Sequence, residues 1–167
     1  RDGETAGISV RAAITGHVVL STLHTNSAAS SIVRLEDMGV ETYLVANSMV
    51  GVVAQRLMRK VCPHCAQEME TTPEEREFLG ENIETVWRGR GCAQCNNTGY
   101  RGRIAVHEIF TVDAALRQMI GSHASMEEIE NYARERQQMR TLKENGIRLV
   151  ADGVTTIEEL AKIAYGS

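Results

Sequence analysis

Cys62-Pro63-His64-Cys65 and Cys92-Ala93-Gln94-Cys95 are the two stretches that divide this chain, and they hold all four of its cysteines. Their spacing is C-x2-C-x26-C-x2-C. Two such hooks can turn four soft thiolates toward one point, which is the ligand set of a closed tetrahedral zinc site. Two other chemistries use the same residue types. Paired disulfides suit small, cysteine-dense secreted scaffolds, and four cysteines in 167 residues are not dense. A thiol oxidant needs its first cysteine at a helix N-terminus and usually a cis-proline opposite. The only other proline, Pro73, reads instead as a helix start.

Around the hooks the composition is that of an ordinary folded chain, one domain or two small ones. Hydrophobic residues make up 43% and aromatic ones 4%, so the expected core is aliphatic. The net charge of −4 provides no general field for nucleic acid. Basic residues cluster locally, in Arg56-Leu57-Met58-Arg59-Lys60 and in Tyr100-Arg101-Gly102-Arg103. One aromatic among arginines is a weak nucleic-acid signal and suits a solvated or partner-facing loop. No apolar run approaches the roughly 20 residues that span a bilayer. The expectation is a soluble, cytosolic chain that meets membranes only through partners.

Working outward toward the N-terminus, Thr5 to Ala13 reads as an amphipathic helix stopped by Gly16. His17-Val18-Val19-Leu20-Ser21-Thr22-Leu23 is a short β-branched run of the buried-strand type. The polar cluster His24-Thr25-Asn26-Ser27 follows, then a helix from Ala28 to Met38 closed by Gly39. Helix, strand, loop, helix is a piece of a parallel α/β sheet, where ligands sit at the carboxyl ends of strands. His24, Thr25 and Asn26 hold that position. A plainer reading of the same cluster is a loop that caps the next helix through Asn26 or Ser27.

Between the hooks, Thr72-Pro73-Glu74-Glu75 opens a helix with a capping box, and the helix runs to Leu79 and Gly80. Thr85 to Arg88 is a short strand, and Arg103 to Phe110 alternates like a strand with one buried face. His64 and His107 read as bystanders, since four cysteines already close a site. The last third is helical. Helices are expected from Asp113 to Ile120, from the capping box at Ser125 to Arg136, around Leu142 to Val150, and from Thr156 through Ala164.

Arg1-Asp2-Gly3-Glu4-Thr5 and Thr15-Gly16-His17-Val18-Val19-Leu20-Ser21-Thr22-Leu23-His24-Thr25-Asn26 resemble the secretion ATPases of type II secretion and type IV pilus assembly. In that family the first stretch ends the Walker B motif, Gly-Glu-Ile-Arg-Asp-x-Glu-Thr, and the second is the histidine box. The likeness continues through Arg34-Leu35-x-Asp37-Met38-Gly39-Val40, Gln55-Arg56-Leu57, Cys95-Asn96-Asn97-Thr98-Gly99-Tyr100-Arg101-Gly102-Arg103 and Met139-Arg140-Thr141-Leu142. The cysteine hooks resemble the assembly and secretion branch rather than the retraction branch.

The resemblance implies an α/β fold: a partial RecA-like parallel sheet, then a small zinc-binding subdomain, then a C-terminal helical bundle. The implied divisions are residues 1–60, 61–103 and 104–167. It implies a homo-hexameric motor that uses ATP and Mg2+, carries a structural Zn2+, and works with inner-membrane platform proteins on the cytoplasmic side of the bacterial plasma membrane. The implied catalytic residues are His24, facing the γ-phosphate, with Asp2 and Glu4. Arg1, Thr22, Thr25, Gln55 and Arg56 would lie near nucleotide or a neighbouring subunit. His17, at the far end of the strand and roughly 20 Å from His24 in an extended chain, is read as structural. The sequence contains no G-x-x-x-x-G-K-[ST] run to cradle phosphates, and the family's Walker B glutamate would lie upstream of Arg1. This stretch is thus expected to be a C-terminal part of such an ATPase, without turnover of its own. The competing expectation is a free-standing zinc-ribbon interaction module with no enzymology.

Overall fold

The first helix shows how closely local chemistry sets the element boundaries. In the computed structural model, which describes residues 2–80 and 83–165, α1 spans Gly3–Ile14. Asp2 is its N-cap and accepts the Thr5 N–H at 2.8 Å; that backbone bond is the main reason its carboxyl lies below the ordinary value. At the other end Gly16 adopts φ +97°, and the N–H groups of Gly16 and His17 reach back to the carbonyls of Ala13 and Ala12. This left-handed termination favours glycine, because a Cβ would strain that backbone. His17 also places Nδ1 3.2 Å from the Ala12 carbonyl, so it belongs to the helix end.

The strand expected over residues 17–23 does not form. Residues 17–25 carry no regular secondary structure, and Val18 and Leu20 are 92% and 93% exposed. Composition selects residues that fit a buried strand, but a strand exists only where a neighbour accepts its ladder of hydrogen bonds. None of the described residues provides one here. The chain is mixed α/β as expected, and the strands that pair among the described residues form small antiparallel sheets.

Helix α2 covers Ser30–Asp37, and α3, Thr42–Ser48, follows after Gly39. Strand β1 runs Gly51–Val61, β2 Ala66–Glu70, β3 Thr85–Gly89 and β4 Tyr100–Thr111, with α4 at Pro73–Leu79 between β2 and β3. β1 pairs with β4. The Val112 N–H donates to the Val50 carbonyl at 2.8 Å, while Gln55 faces His107, so residue numbers run in opposite directions on the two strands. β2 and β3 are antiparallel, in register from Ala66 opposite Gly89 to Glu70 opposite Thr85. Helices α5 (Ala114–Gly121), α6 (Met126–Gln137), α7 (Leu142–Ala151) and α8 (Ile157–Tyr165) complete the chain. The capping boxes expected at Thr72 and Ser125 are present, and a third occurs at Thr141.

The chain forms two compact units, residues 1–54 with 108–140 and residues 55–107 with 141–167. In the first, α3 packs on α1 and α5 over an aliphatic core that includes Val10, Ile32, Val45, Leu116 and Ile120. In the second, Met58, Leu79, Val86, Val150 and Leu160 form the core. The indole of Trp87, on β3, lies directly against Gly153 in the turn after α7.

The second unit also buries one charge. Glu159, 5% exposed, accepts the Arg59 N–H at 2.8 Å, Arg59 Nε at 2.9 Å and Nη2 at 2.8 Å, and Lys162 Nζ at 2.6 Å. The Arg59 guanidinium in turn covers the Tyr100 ring at 3.9 Å, and the Tyr100 hydroxyl meets Thr156 Oγ1 at 2.9 Å. Burial alone would raise the Glu159 carboxyl, but these donors, Arg59 first, hold it at about 2. A depressed folded-state value adds stability that is complete above the unfolded pKa near 4.5 and is lost as pH falls from there toward 2. Water around the half-exposed Arg59 screens the pair, so Glu159→Gln is expected to lower unfolding free energy by about 1–2 kcal/mol at pH 7. Denaturant titrations of both proteins from pH 7 to pH 2.5 should show that difference shrinking below pH 4.5.

Candidate metal centre and histidine loop

Each cysteine hook is a tight turn. The Cys65 N–H reaches back to the Cys62 carbonyl at 3.3 Å, and Cys92 leads into a 3-10 turn over Ala93–Cys95. Asn96 and Asn97 then take φ of +50° and +58°, so that the Asn97 N–H returns to the Cys92 carbonyl at 2.9 Å. Gly89 and Gly99 let the segments around the hooks meet. A Cβ on either would collide with the backbone of the other, and Gly99 also has φ +77°. Their approach allows the Cys62 N–H to donate to the Gly99 carbonyl at 2.9 Å and the Arg90 N–H to the Cys65 carbonyl at 3.0 Å.

All four Sγ atoms lie within 4.8 Å of one another, and Cys62–Cys92, Cys65–Cys95 and Cys92–Cys95 are 4.0, 3.9 and 3.7 Å apart. These are not disulfides, which need about 2.05 Å. Four sulfurs at about 2.3 Å around one tetrahedral ion would be about 3.8 Å apart, so the cluster fits such an ion. The backbone supports thiolates as well. The Gly91 N–H points at Cys65 Sγ (3.3 Å), and the N–H groups of Cys92 and Gly99 point at Cys95 Sγ (3.2 and 3.3 Å). Burial opposes ionisation of Cys95, but its two N–H donors prevail and bring the thiol down to about 6. At Cys65, burial pushes the thiol up to about 12. Neither His64 nor His107 belongs to the cluster; His64 is exposed, and His107 Nε2 faces Gln55 Oε1 at 3.0 Å.

His24, in the other compact unit, is exposed beside a shallow depression that it lines with Thr22, Leu23, Arg34 and Met38. The residues after it are fastened locally. Thr25 Oγ1 meets Ser31 Oγ at 3.0 Å, and the Ser27 and Ser30 N–H groups donate to each other's hydroxyls at 3.1 and 3.2 Å. Ser27 thus accepts the Ser30 N–H, although the N-cap of α2 is Ala29 and carries no side-chain cap bond, while Thr22 and His24 share the depression. Asp2 is engaged as a helix cap, and Glu4 is exposed on the first turn of α1. Gln55 and Arg56 lie on β1 in the cysteine-bearing unit, where Arg56 Nη1 donates to the Gln55 carbonyl at 3.1 Å. Arg1 lies outside the described residues. Sequence reading missed Glu108, 4% exposed on β4, whose Oε1 accepts the Ala28 N–H at 2.7 Å. The signal for it was present: Glu108 occupies an inward register position of the alternating strand, between Val106 and Phe110.

The chain thus combines a mixed α/β fold with four clustered cysteines in one unit and, in the other, a histidine beside a polar loop. The pattern of Type II/IV secretion system proteins matches residues 1–162, and the chain belongs to that family. It is 44% identical to the type IV pilus assembly ATPase PilB of Thermus thermophilus over 96% of this chain and 18% of that protein. It is 40% identical to the type II secretion system ATPase E of Vibrio cholerae over 100% of this chain and 33% of that protein. It is therefore similar to about a fifth to a third of these relatives' lengths. Among solved structures, it matches the pilus retraction motor PilT with bound ADP at a TM-score of 0.65, 21% identity and 98% and 37% coverage of the two chains. The Legionella pneumophila ATPase DotB matches at 0.63, 18% identity and 100% and 37% coverage. Both structures show a shared fold.

Gly99→Ala is expected to cost about 1–3 kcal/mol, through the left-handed backbone and the collision with Gly89. Release of metal to a chromogenic chelator should be faster in that variant than in a Gly102→Ala control, where a Cβ meets open space although φ is also positive.

Proposed function

We propose that this chain is the C-terminal part of a hexameric motor ATPase that couples ATP hydrolysis to assembly of a pilus or secretion pseudopilus. The supporting observation is the family match along nearly the whole chain, with 40–44% identity to an assembly ATPase and a secretion ATPase. Within it, residues 61–103 act as a structural zinc subdomain. Zinc supplies a cross-link between the hooks and no chemistry of its own, as expected of a closed four-sulfur site.

In the whole protein, His24 faces the γ-phosphate of ATP. Its imidazole can donate a hydrogen bond to a phosphate oxygen, and that bond changes on hydrolysis. Thr22 and Arg34 line the same depression and stand beside that phosphate. Asp2 steadies α1, and Glu4, Gln55 and Arg56 face nucleotide or the neighbouring subunit. The phosphate cradle, the magnesium ligands and the glutamate that orients the attacking water come from segments of the protein outside this stretch. Residues 17–23 join a parallel sheet with strands from those segments, which covers the exposed Val18 and Leu20. The motor works at the cytoplasmic face of the inner membrane, held there by platform proteins. No helix among the described residues is long and apolar enough to cross a membrane.

Metal analysis of the full-length protein, purified without chelator, should return about one zinc ion per chain. Cys92→Ser should lose that zinc and raise amide exchange across residues 61–103. A stoichiometry near zero with four freely reactive thiols would end the structural-zinc reading.

His24→Ala in the full-length protein should lower ATP turnover by about 10- to 1000-fold, equivalent to about 1.4–4 kcal/mol of transition-state stabilisation, and leave ADP affinity nearly unchanged. His17→Ala should act through stability alone. Equal effects of the two substitutions on turnover, or equal weakening of ATP and ADP by His24→Ala, would remove the phosphate-facing role.

A further inference from the structure

Glu108 does not fit its surroundings on β4 unless something requires a carboxylate there. Its neighbours on the inward face, Val106 and Phe110, are each 2% exposed, and Glu108 itself is 4% exposed. A buried carboxylate is retained where it answers a buried donor. The donor is the N–H of Ala28, a residue with no exposed surface, met at 2.7 Å across 80 residues of sequence. Ala28 opens the turn that becomes α2: the Ser31 N–H bonds to its carbonyl at 3.1 Å, and the Ile32 N–H bonds to that of Ala29 at 3.1 Å. Its own N–H lies in the turn just before the Ala29 N-cap of α2, buried and in need of an acceptor from elsewhere.

Ala28 is four residues from His24. The bonds of Thr25 to Ser31 and of Ser27 to Ser30 are local. They set the shape of the loop, but a bond within six residues does not fix where the loop stands against the rest of the unit. The Glu108 bond is a hold of another kind, because β4 is a different element of the same unit. We propose that Glu108 is a positioning residue for His24: by holding the Ala28 amide, it fixes the height and direction at which residues 24–27 leave the depression lined by Thr22, Arg34 and Met38. This rests on the reading of His24 as the phosphate-facing group. Glu108 touches no nucleotide in this scheme and acts only through the loop.

The test uses the full-length protein with Glu108→Met, which keeps the volume and removes the acceptor, and Glu108→Gln, which keeps an acceptor oxygen. Amide exchange of the peptide spanning residues 24–30 should rise about ten-fold or more in the Met variant and stay close to wild type in the Gln variant. Turnover of ATP should fall about 10- to 100-fold for Glu108→Met, with KM little changed, and should be largely rescued by Gln. The double variant His24→Ala/Glu108→Met should be no slower than His24→Ala, because a residue that acts through the histidine has nothing left to act on.

Unchanged exchange in the Met variant, a Gln variant that exchanges as fast as Met, or losses that multiply in the double variant would each overturn the proposal. Should the Met variant fail to fold, the Gln variant still decides, since fast exchange there means the amide bond is not what holds the loop. A His24→Ala enzyme at wild-type turnover overturns the histidine reading and this inference with it. Failure of Glu108 alone looks different: His24→Ala is slow while Glu108→Met is not.

Discussion

Four sulfur atoms drawn within 4.8 Å of one another make the strongest demand in this molecule. Thiolates at that separation repel, and a cation at the centre of four such sulfurs would offset the repulsion. Much of the second unit follows from it. The first hook follows the end of β1 and the second precedes the start of β4, and between them the described residues form the β2–β3 ladder and helix α4. The N–H groups of Gly91, Cys92 and Gly99 are spent on sulfur rather than on ladder bonds. The backbone N–H groups and the burial around Cys65 and Cys95 push their proton affinities in opposite directions.

The first unit is ordered differently, by local termination signals. Asp2 opens α1, Gly16 and His17 close it, and reciprocal bonds between Ser27 and Ser30 shape the turn that leads into α2. Where such signals are written in adjacent residues, the sequence was readable: the boundaries at Thr72–Pro73, Gly80, Asp113 and Ser125 fall where caps and left-handed glycines put them. The cysteine constellation was equally legible, because its spacing is the site. Features that depend on distant partners were not. α3 lacks a capping side chain at Glu41, and β1 mixes basic and apolar residues that show no stripe until β4 is beside it. Residues 17–23 read as a strand because their composition suits one, and composition says nothing about whether a neighbour is present.

Buried carboxylates belong to this second kind of feature. Glu159 on α8 and Glu108 on β4 both sit where the pattern asks for an apolar residue, and each is explained by a backbone N–H roughly a hundred or eighty residues away in sequence. Glu159 answers Arg59 and stays inside the cysteine-bearing unit; Glu108 answers Ala28 and stays inside the other. In both units one acidic group thus converts a sequence-distant pairing into a fixed local geometry. An isolated peptide of either element would reveal neither partner, whereas an acidic residue in an inward register position already marks where a distant donor has to be sought.

Trp87 is the only tryptophan in the chain, and its indole rests on the turn at Gly153 while remaining 37% exposed. It stands five residues before Cys92, on the ladder that the cysteine hooks enclose. Emission excited at the red edge of protein absorption therefore comes from one place, and its colour follows whether the 153 turn still covers the ring. The molecule carries its own optical gauge of the cysteine-bearing unit, and that gauge needs no label.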